Sequence, residues 1–280
     1  MLRVLLLLCL YFSVSRSSSY DTDEGTIAVW LSAAAYCHQK YYLTRDFTGP
    51  TDGFIATYSI NSDKTSGDVT GYIGYLPSTE SIYVVFRGSS SISNWIADLS
   101  VSKVTLTHSL THSLTHSLTH SLIHSFKVTY TSYPECNCEV HKGFYYSEQA
   151  VIDEVKTEVW SLLNQFPHYD VKLTGHSLGA AMAQLTAMDL IKAGIPVTSV
   201  YNFGQPRLGD YNYADFATGK LNTFRVTHYK DIVPHLPITV LTHSLTHSLT
   251  HSLTHSLTHS LTHSLTHSLT HPPTHSLTHS

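Results

Sequence analysis

The sequence predicts an α/β fold with a mostly parallel central sheet flanked by helices. Three observations carry that prediction. Segments with strand character alternate with segments of helical periodicity. Residues 81–89, SIYVVFRGS, form the short continuous apolar run expected of a strand buried on both faces. Residues 169–194, YDVKLTGHSLGAAMAQLTAMDLIKAG, read as strand, sharp turn and helix in immediate succession, with Gly194 as the stop.

Taken in order, residues 26–42 place small and apolar residues at helical spacing and predict an amphipathic helix. GFIATYSI and VTGYIGYLP alternate and are bounded by Gly, Asn, Asp and Pro, so they predict a pair of strands. After SIYVVFRGS comes the polar stretch SSSISNWIADLS, carrying Trp95. Residues 144–166 set Val151, Val155 and Val159 with Ile152, Leu162 and Leu163 on one face, which predicts a long helix ended by Pro167. PVTSVYNFGQ and NTFRVTHYKDIVP are two further strands with a short helical or loop segment between them.

Two tracts interrupt this list. Residues 106–122 read LTHSLTHSLTHSLTHSL, and the same four letters return at Leu241 and run almost to residue 280; with His124 just beyond the first tract they supply fifteen of the 21 histidines. Without them about 220 residues remain, the length of one large domain or two small ones. The net charge of −4, from 16 basic and 20 acidic side chains spread without blocks, argues against nucleic-acid binding and against a polybasic membrane anchor. Arg3, the apolar run 4–12 and the small residues Ser13-Val14-Ser15 have the layout of a secretory signal, assigned to residues 1–17. The run is too short to cross a hydrocarbon core of about 30 Å, so a secreted protein or one in the secretory-pathway lumen is expected, without a transmembrane anchor.

The motif with chemistry in it is Gly175-His176-Ser177-Leu178-Gly179, which matches the G-x-S-x-G nucleophile elbow. A serine nucleophile needs its Oγ displayed from a tight strand-to-helix turn. Glycines two residues to either side let strand and helix approach, and the amides at the helix start point at the substrate oxygen. The setting is the required one, with a β-run at 171–174 and small residues at 179–183. Ser177 is therefore read as a nucleophile.

With that motif in place the chain resembles the class 3, or fungal-type, lipases, secreted α/β-hydrolases that act on lipid esters. The resemblance is carried in family order by VVFRGSSSISNWIADL, CEVHKGFYYS, VKLTGHSLGAAMA, NFGQPRLGD and KDIVPHLP, and covers residues 25–237 with the repeat excluded. It implies an α/β-hydrolase fold, Ser177 as nucleophile and Asp231 as the triad acid that orients a histidine. It implies an oxyanion hole of Ser89, through hydroxyl and backbone, and the Leu178 amide. It implies a hinged lid helix whose Trp95 lies over the site and moves aside at a lipid–water interface. The expected partner is a lipid ester substrate, with no cofactor and no metal.

The family's histidine lies several dozen residues beyond the Asp, and no position here matches its context, because Leu236-Pro237 runs into Ile238-Thr239-Val240 and then the repeat. His235 belongs to the motif itself, where a structural role is the better reading, and His176 occupies the elbow's variable slot. Nothing singles out a repeat histidine. As written, the triad is two-thirds visible. In related members a cysteine like Cys37 often pairs with one near the C-terminus, which this chain lacks; the family's Cys-x-x-Cys is here the tighter Cys136-Asn137-Cys138, whose bridge would close an unusually small, strained ring.

Three readings of the repeat compete. Histidines at i and i+4 of a helix could ligate zinc, but the tract has weak helix formers, no caps and no acidic support. A period of four could instead build an exposed, aggregation-prone strand. Thr-His-Ser-Leu is also what the tetranucleotide ACTC encodes when tandemly repeated. Removing residues 104–127 rejoins the family pattern, and both edges read Lys-Val-Thr, as a retained intron would leave them. This last reading is preferred, with the tracts expected to be disordered.

The sequence thus assigns residues 1–17 to a signal peptide, 18–240 to a lipase-like domain interrupted at 104–127, and 241–280 to low-complexity repeat. The expected function is a secreted serine ester hydrolase, a triacylglycerol lipase working through a Ser177 acyl-enzyme. The alternatives are a catalytically inactive lipase-like protein that binds lipid, or metal through its His tract, and a phospholipase A1 or feruloyl-type esterase.

Overall fold

A computed structural model describes residues 19–62, 69–89 and 127–237. The chain divides into two units, residues 1–238 and 239–280, and every described residue belongs to the first. The expected signal peptide, Trp95 and its lid segment, and both repeat tracts lie outside the described residues.

The described elements run α1 (Thr22–Ala34), β1 (Ile55–Asn61), β2 (Thr70–Leu76), β3 (Ser81–Phe86), β4 (Lys127–Thr129), β5 (Glu139–His141), α2 (Lys142–Gln149), α3 (Ile152–Gln165), β6 (Asp170–His176), α4 (Leu178–Lys192), β7 (Val197–Phe203), α5 (Tyr211–Lys220) and β8 (Thr223–Val226). Six strands form one sheet in the order β1-β2-β3-β6-β7-β8. β1, β2 and β3 pair antiparallel; β3, β6, β7 and β8 pair parallel. The expected α/β architecture with a mostly parallel central sheet is what the chain adopts.

β3 shows why its sequence lacks alternation. Every residue from Ser81 to Phe86 is buried. Ile82, Val84 and Phe86 enter one core with Leu173, Val200 and the inward faces of α3 and α4, while Tyr83 and Val85 enter a second core with Leu31, Tyr42, Phe54 and Tyr72. Strand side chains alternate between faces, so a strand covered on both sides must be apolar throughout. Each fully buried Val, Leu or Ile contributes roughly 1.5–3 kcal/mol relative to exposure.

Two helices differ from expectation. α1 begins earlier, because the Asp21 carboxylate accepts from the amides of Asp23 and Glu24 at 2.9 and 3.0 Å, and those two acids suit the positive end of the helix. It also ends earlier than residue 42. The Tyr36 and Cys37 amides fold back onto the Ala33 and Ala34 carbonyls, and the His38 ring accepts from the Lys40 amide to open a separate 3₁₀ turn at Gln39–Tyr41. The long helix predicted over 144–166 is two helices, α2 and α3. They break at Val151, whose backbone (φ −126°, ψ −8°) leaves the helical basin. α2 packs on α4 and β5, whereas α3 continues over β2 and β3, so one straight rod could not serve both.

The two-stranded sheet of β4 and β5 is a feature the sequence did not reveal. In the turn between them Cys136 and Cys138 are joined, with Cα atoms 5.2 Å apart, within the ordinary disulfide range. Asn137 makes that separation reachable by adopting a left-handed conformation at φ 47°. Cys37 is free and exposed.

Behind the sheet a pair of acids is buried together. Glu148 of α2 is fully buried and Asp189 of α4 nearly so. Gln149 Nε2 donates to both, at 2.7 and 3.1 Å, and the Tyr130 and Ser132 hydroxyls donate to Asp189 at 3.2 and 3.0 Å. Burial, with the Asp189 charge beside it, pushes Glu148 from 4.5 up to about 8. Between those values the folded protein holds a proton that the unfolded chain has released, so stability falls as pH rises through that window. Glu148→Gln removes the titration. Its unfolding free energy relative to the parent chain, read by urea denaturation, is expected to climb from pH 5 to pH 8 by at least about 1.4 kcal/mol, the value of one pKa unit.

Candidate active site

The site is built at the carboxyl edge of the sheet, where β6 turns into α4. Ser177 stands between them at φ 56°, ψ −123°, a conformation that favours glycine and costs a side-chain-bearing residue about 1–3 kcal/mol. Its neighbours impose it. A Cβ on Gly175 would overlap the Gly179 carbonyl and lie 2.7 Å from the Ala180 nitrogen, and one on Gly179 would overlap the Phe86 carbonyl and lie 2.8 Å from the Arg87 carbonyl carbon. The Ser177 amide is tied to the Phe203 carbonyl of β7 at 2.9 Å. The elbow is thereby fastened to β3 and β7 at once.

Ser177 is 1% exposed, and its Oγ bonds to no other described residue. Leu178 is the first residue of α4, so its N–H has no acceptor within the helix and faces outward with the positive end of the helix dipole. Ser89 leaves the end of β3 directly after Gly88. A Cβ on Gly88 would lie 2.7 Å from the His176 carbonyl oxygen and 3.3 Å from the Ser177 Cβ, so this loop is pressed against the elbow. Ser177, Leu178 and the Ser89 loop are therefore brought together.

Asp231 arrives from the turn after β8. Its Oδ1 accepts from the Val233 amide at 2.9 Å, and its own amide bonds to the His228 carbonyl. Its Oδ2 lies 2.8 Å from the position a Cβ on Gly204 would take, and His176 Nε2 lies 3.6 Å from that same point. Gly204 follows β7 with φ 58° and bonds through its amide to Val226 of β8. The carboxylate is thus delivered to the edge of the sheet that carries Ser177. Here a side chain at position 204 would displace it.

The His176 ring approaches the same point beside Gly204. Its Nδ1 bonds to the Tyr36 hydroxyl at 2.7 Å. Burial lowers its pKa below 6.5, against the opposing pull of Asp231. His235 is exposed in the 3₁₀ turn Val233–His235. Among the described residues no group of three or more His, Cys, Asp or Glu side chains is arranged to hold a metal. Tyr36 escaped the sequence reading, since it sits in a helix end more than 130 residues from the elbow and belongs to no motif.

A serine displayed on a strained strand-to-helix turn over a parallel sheet defines a hydrolase of the α/β class. The family model for class 3 lipases matches residues 83–241, and the chain belongs to that family. It is 34% identical over 230 residues to the secreted mono- and diacylglycerol lipase A of Penicillium cyclopium, a match covering 79% of this chain and 67% of the relative. It is also 34% identical to a lipase of Rhizomucor miehei over 237 residues, covering 80% of this chain and 56% of that relative. Among solved structures, the Rhizomucor miehei triacylglyceride lipase superposes with a TM-score of 0.63 at 30% identity, covering 80% of this chain and 77% of that one. By family and relatives the protein is a lipase-type carboxylic ester hydrolase of α/β-hydrolase fold.

The strain at position 177 is measurable. Ser177→Gly is expected to raise the unfolding free energy by about 1 kcal/mol net, from relief of an unfavourable φ set against the entropy of glycine. Ser177→Ala keeps the Cβ and gains nothing comparable. Urea denaturation of the two variants reads the difference.

Proposed function

We propose that the protein is a secreted lipase that cleaves fatty-acyl esters, triacylglycerols foremost, through an acyl-enzyme on Ser177. Ser177 Oγ attacks the ester carbonyl, and the developing oxyanion is held by the Leu178 amide together with Ser89. The alcohol leaves, and water then releases the fatty acid. Loss of one oxyanion donor in such a site costs about 2.7–4 kcal/mol of transition-state stabilisation. Asp231 is assigned as the acid that orients the catalytic histidine. No histidine of this sequence is assigned as the base, and Ser177 Oγ bonds to no other described residue.

The observation that carries this reading is the strained, glycine-locked placement of Ser177 on the edge of the sheet that also receives Asp231. Secretion is supported by the signal-like N-terminus and by the Penicillium relative described as secreted. Among the described residues no helix is long and apolar enough to cross a membrane. Trp95 is assigned to a lid that opens at a lipid–water interface, on the resemblance of its segment alone.

Hydrolysis of p-nitrophenyl esters tests the reading, using the full chain and a version extended by a family-like C-terminal segment. Ser177→Ala is expected to abolish turnover, and Asp231→Asn to lower kcat by about 10⁴-fold, as when the triad acid is lost elsewhere. Activity that survives Ser177→Ala, or its absence from both parent chains, would reject the assignment.

A further inference from the structure

Tyr36 stands just beyond α1, and its hydroxyl reaches two parts of the site. It bonds to His176 Nδ1 at 2.7 Å, and it lies so close to Gly88 that a Cβ there would overlap the phenolic oxygen. The Gly88 amide faces that oxygen. Gly88 in turn abuts the Ser177 Cβ, and Ser89 follows it in the chain. The hydroxyl therefore joins the helical layer to the loop that carries the oxyanion residue.

The direction of these bonds follows from the surroundings. Burial keeps His176 uncharged near neutrality, and a neutral imidazole has one donor and one acceptor nitrogen. The Asp231 carboxylate lies on the Nε2 side, both groups flanking Gly204, so the proton belongs on Nε2 and Nδ1 is left to accept. Tyr36 then donates its O–H to Nδ1 and keeps its lone pairs for the Gly88 amide. Arg87, at the end of β3, is the other charge acting on Tyr36. The result is one chain of contacts, His176 to Tyr36 to Gly88.

We infer that Tyr36, oriented by His176, is a positioning residue that holds the Gly88–Ser89 loop against the nucleophile elbow. The inference rests on the ester-hydrolase reading above and adds a role for two side chains that the Ser177 chemistry does not itself use. Its physical content is preorganisation: an oxyanion donor works when it is already in place and loses effect when its loop must be ordered during reaction. Acidification below the ordinary imidazole range makes both His176 nitrogens donors, which removes the acceptor for Tyr36 and loosens the loop.

The test compares the full chain with Tyr36→Phe, His176→Ala and the double variant. With p-nitrophenyl butyrate, Tyr36→Phe is expected to lower kcat about tenfold and leave KM within twofold. The double variant should lose no more than the worse single one, because the two residues act through one contact. Nitrogen-15 NMR of the His176 ring provides a readout independent of turnover. The parent chain should show the Nε2–H tautomer, and Tyr36→Phe should raise the imidazole pKa, since the lost bond stabilised the neutral ring. Unchanged kcat in an active Tyr36→Phe, additive losses in the double variant, or an unmoved imidazole titration each overturn the inference. A parent chain without turnover counts against the ester-hydrolase reading alone, and the imidazole titration then decides the Tyr36 link.

Discussion

The rest of the site depends on a contact between backbones. At the end of β6 the chain must turn into α4 while lying against the last residues of β3, and no side chain fits in the space between. Gly175 and Gly179 meet that demand, each at a place where a single added carbon would collide with main-chain atoms. From this closeness follow the positive φ of Ser177, the direction of the Leu178 amide and the pressure of the Gly88 loop on the elbow. The parallel register of β6 with β3 and β7 keeps the three strand ends level. The turn is consequently braced from both sides.

Around that contact the molecule divides its polar groups into two kinds. Those at the carboxyl edge of the sheet, Asp231, His176 and Tyr36, face one another across short loops and stay within reach of solvent or substrate. Those sealed in the layers serve packing. Lys172 of β6 is 3% exposed at its side chain and is neutralised by Glu24 of α1 at 2.5 Å, while Glu148 is neutralised by retaining a proton. A buried charge is costly to leave unpaired, and the two solutions, a partner or a proton, are both present here.

Much of the fold was legible from local pattern. The uninterrupted apolar run of β3 and the strand-turn-helix of β6 and α4 each reflect a burial requirement that acts residue by residue, whereas β2, expected to alternate, is covered on both faces. What escaped depended on partners distant in sequence. The break at Val151 follows from α2 and α3 facing different neighbours, which periodicity cannot show. The three-residue strands β4 and β5 are too short to alternate recognisably. In the site, Ser177 was legible because its glycines are adjacent in the chain, and Asp231 because of the family likeness of KDIVPHLP. Tyr36 was not, because what places it is a hydrogen bond 140 residues away.

The conformation at position 177 is set by glycines on either side and by an amide bond to β7, not by the serine hydroxyl, which meets no other described group. Geometry and reactivity are therefore separable at this position. A cysteine or an aspartate installed there would be displayed at the same point, beside the same free amide. The turn fixes where the side chain at position 177 is displayed, and a change of side chain there would require no change of fold.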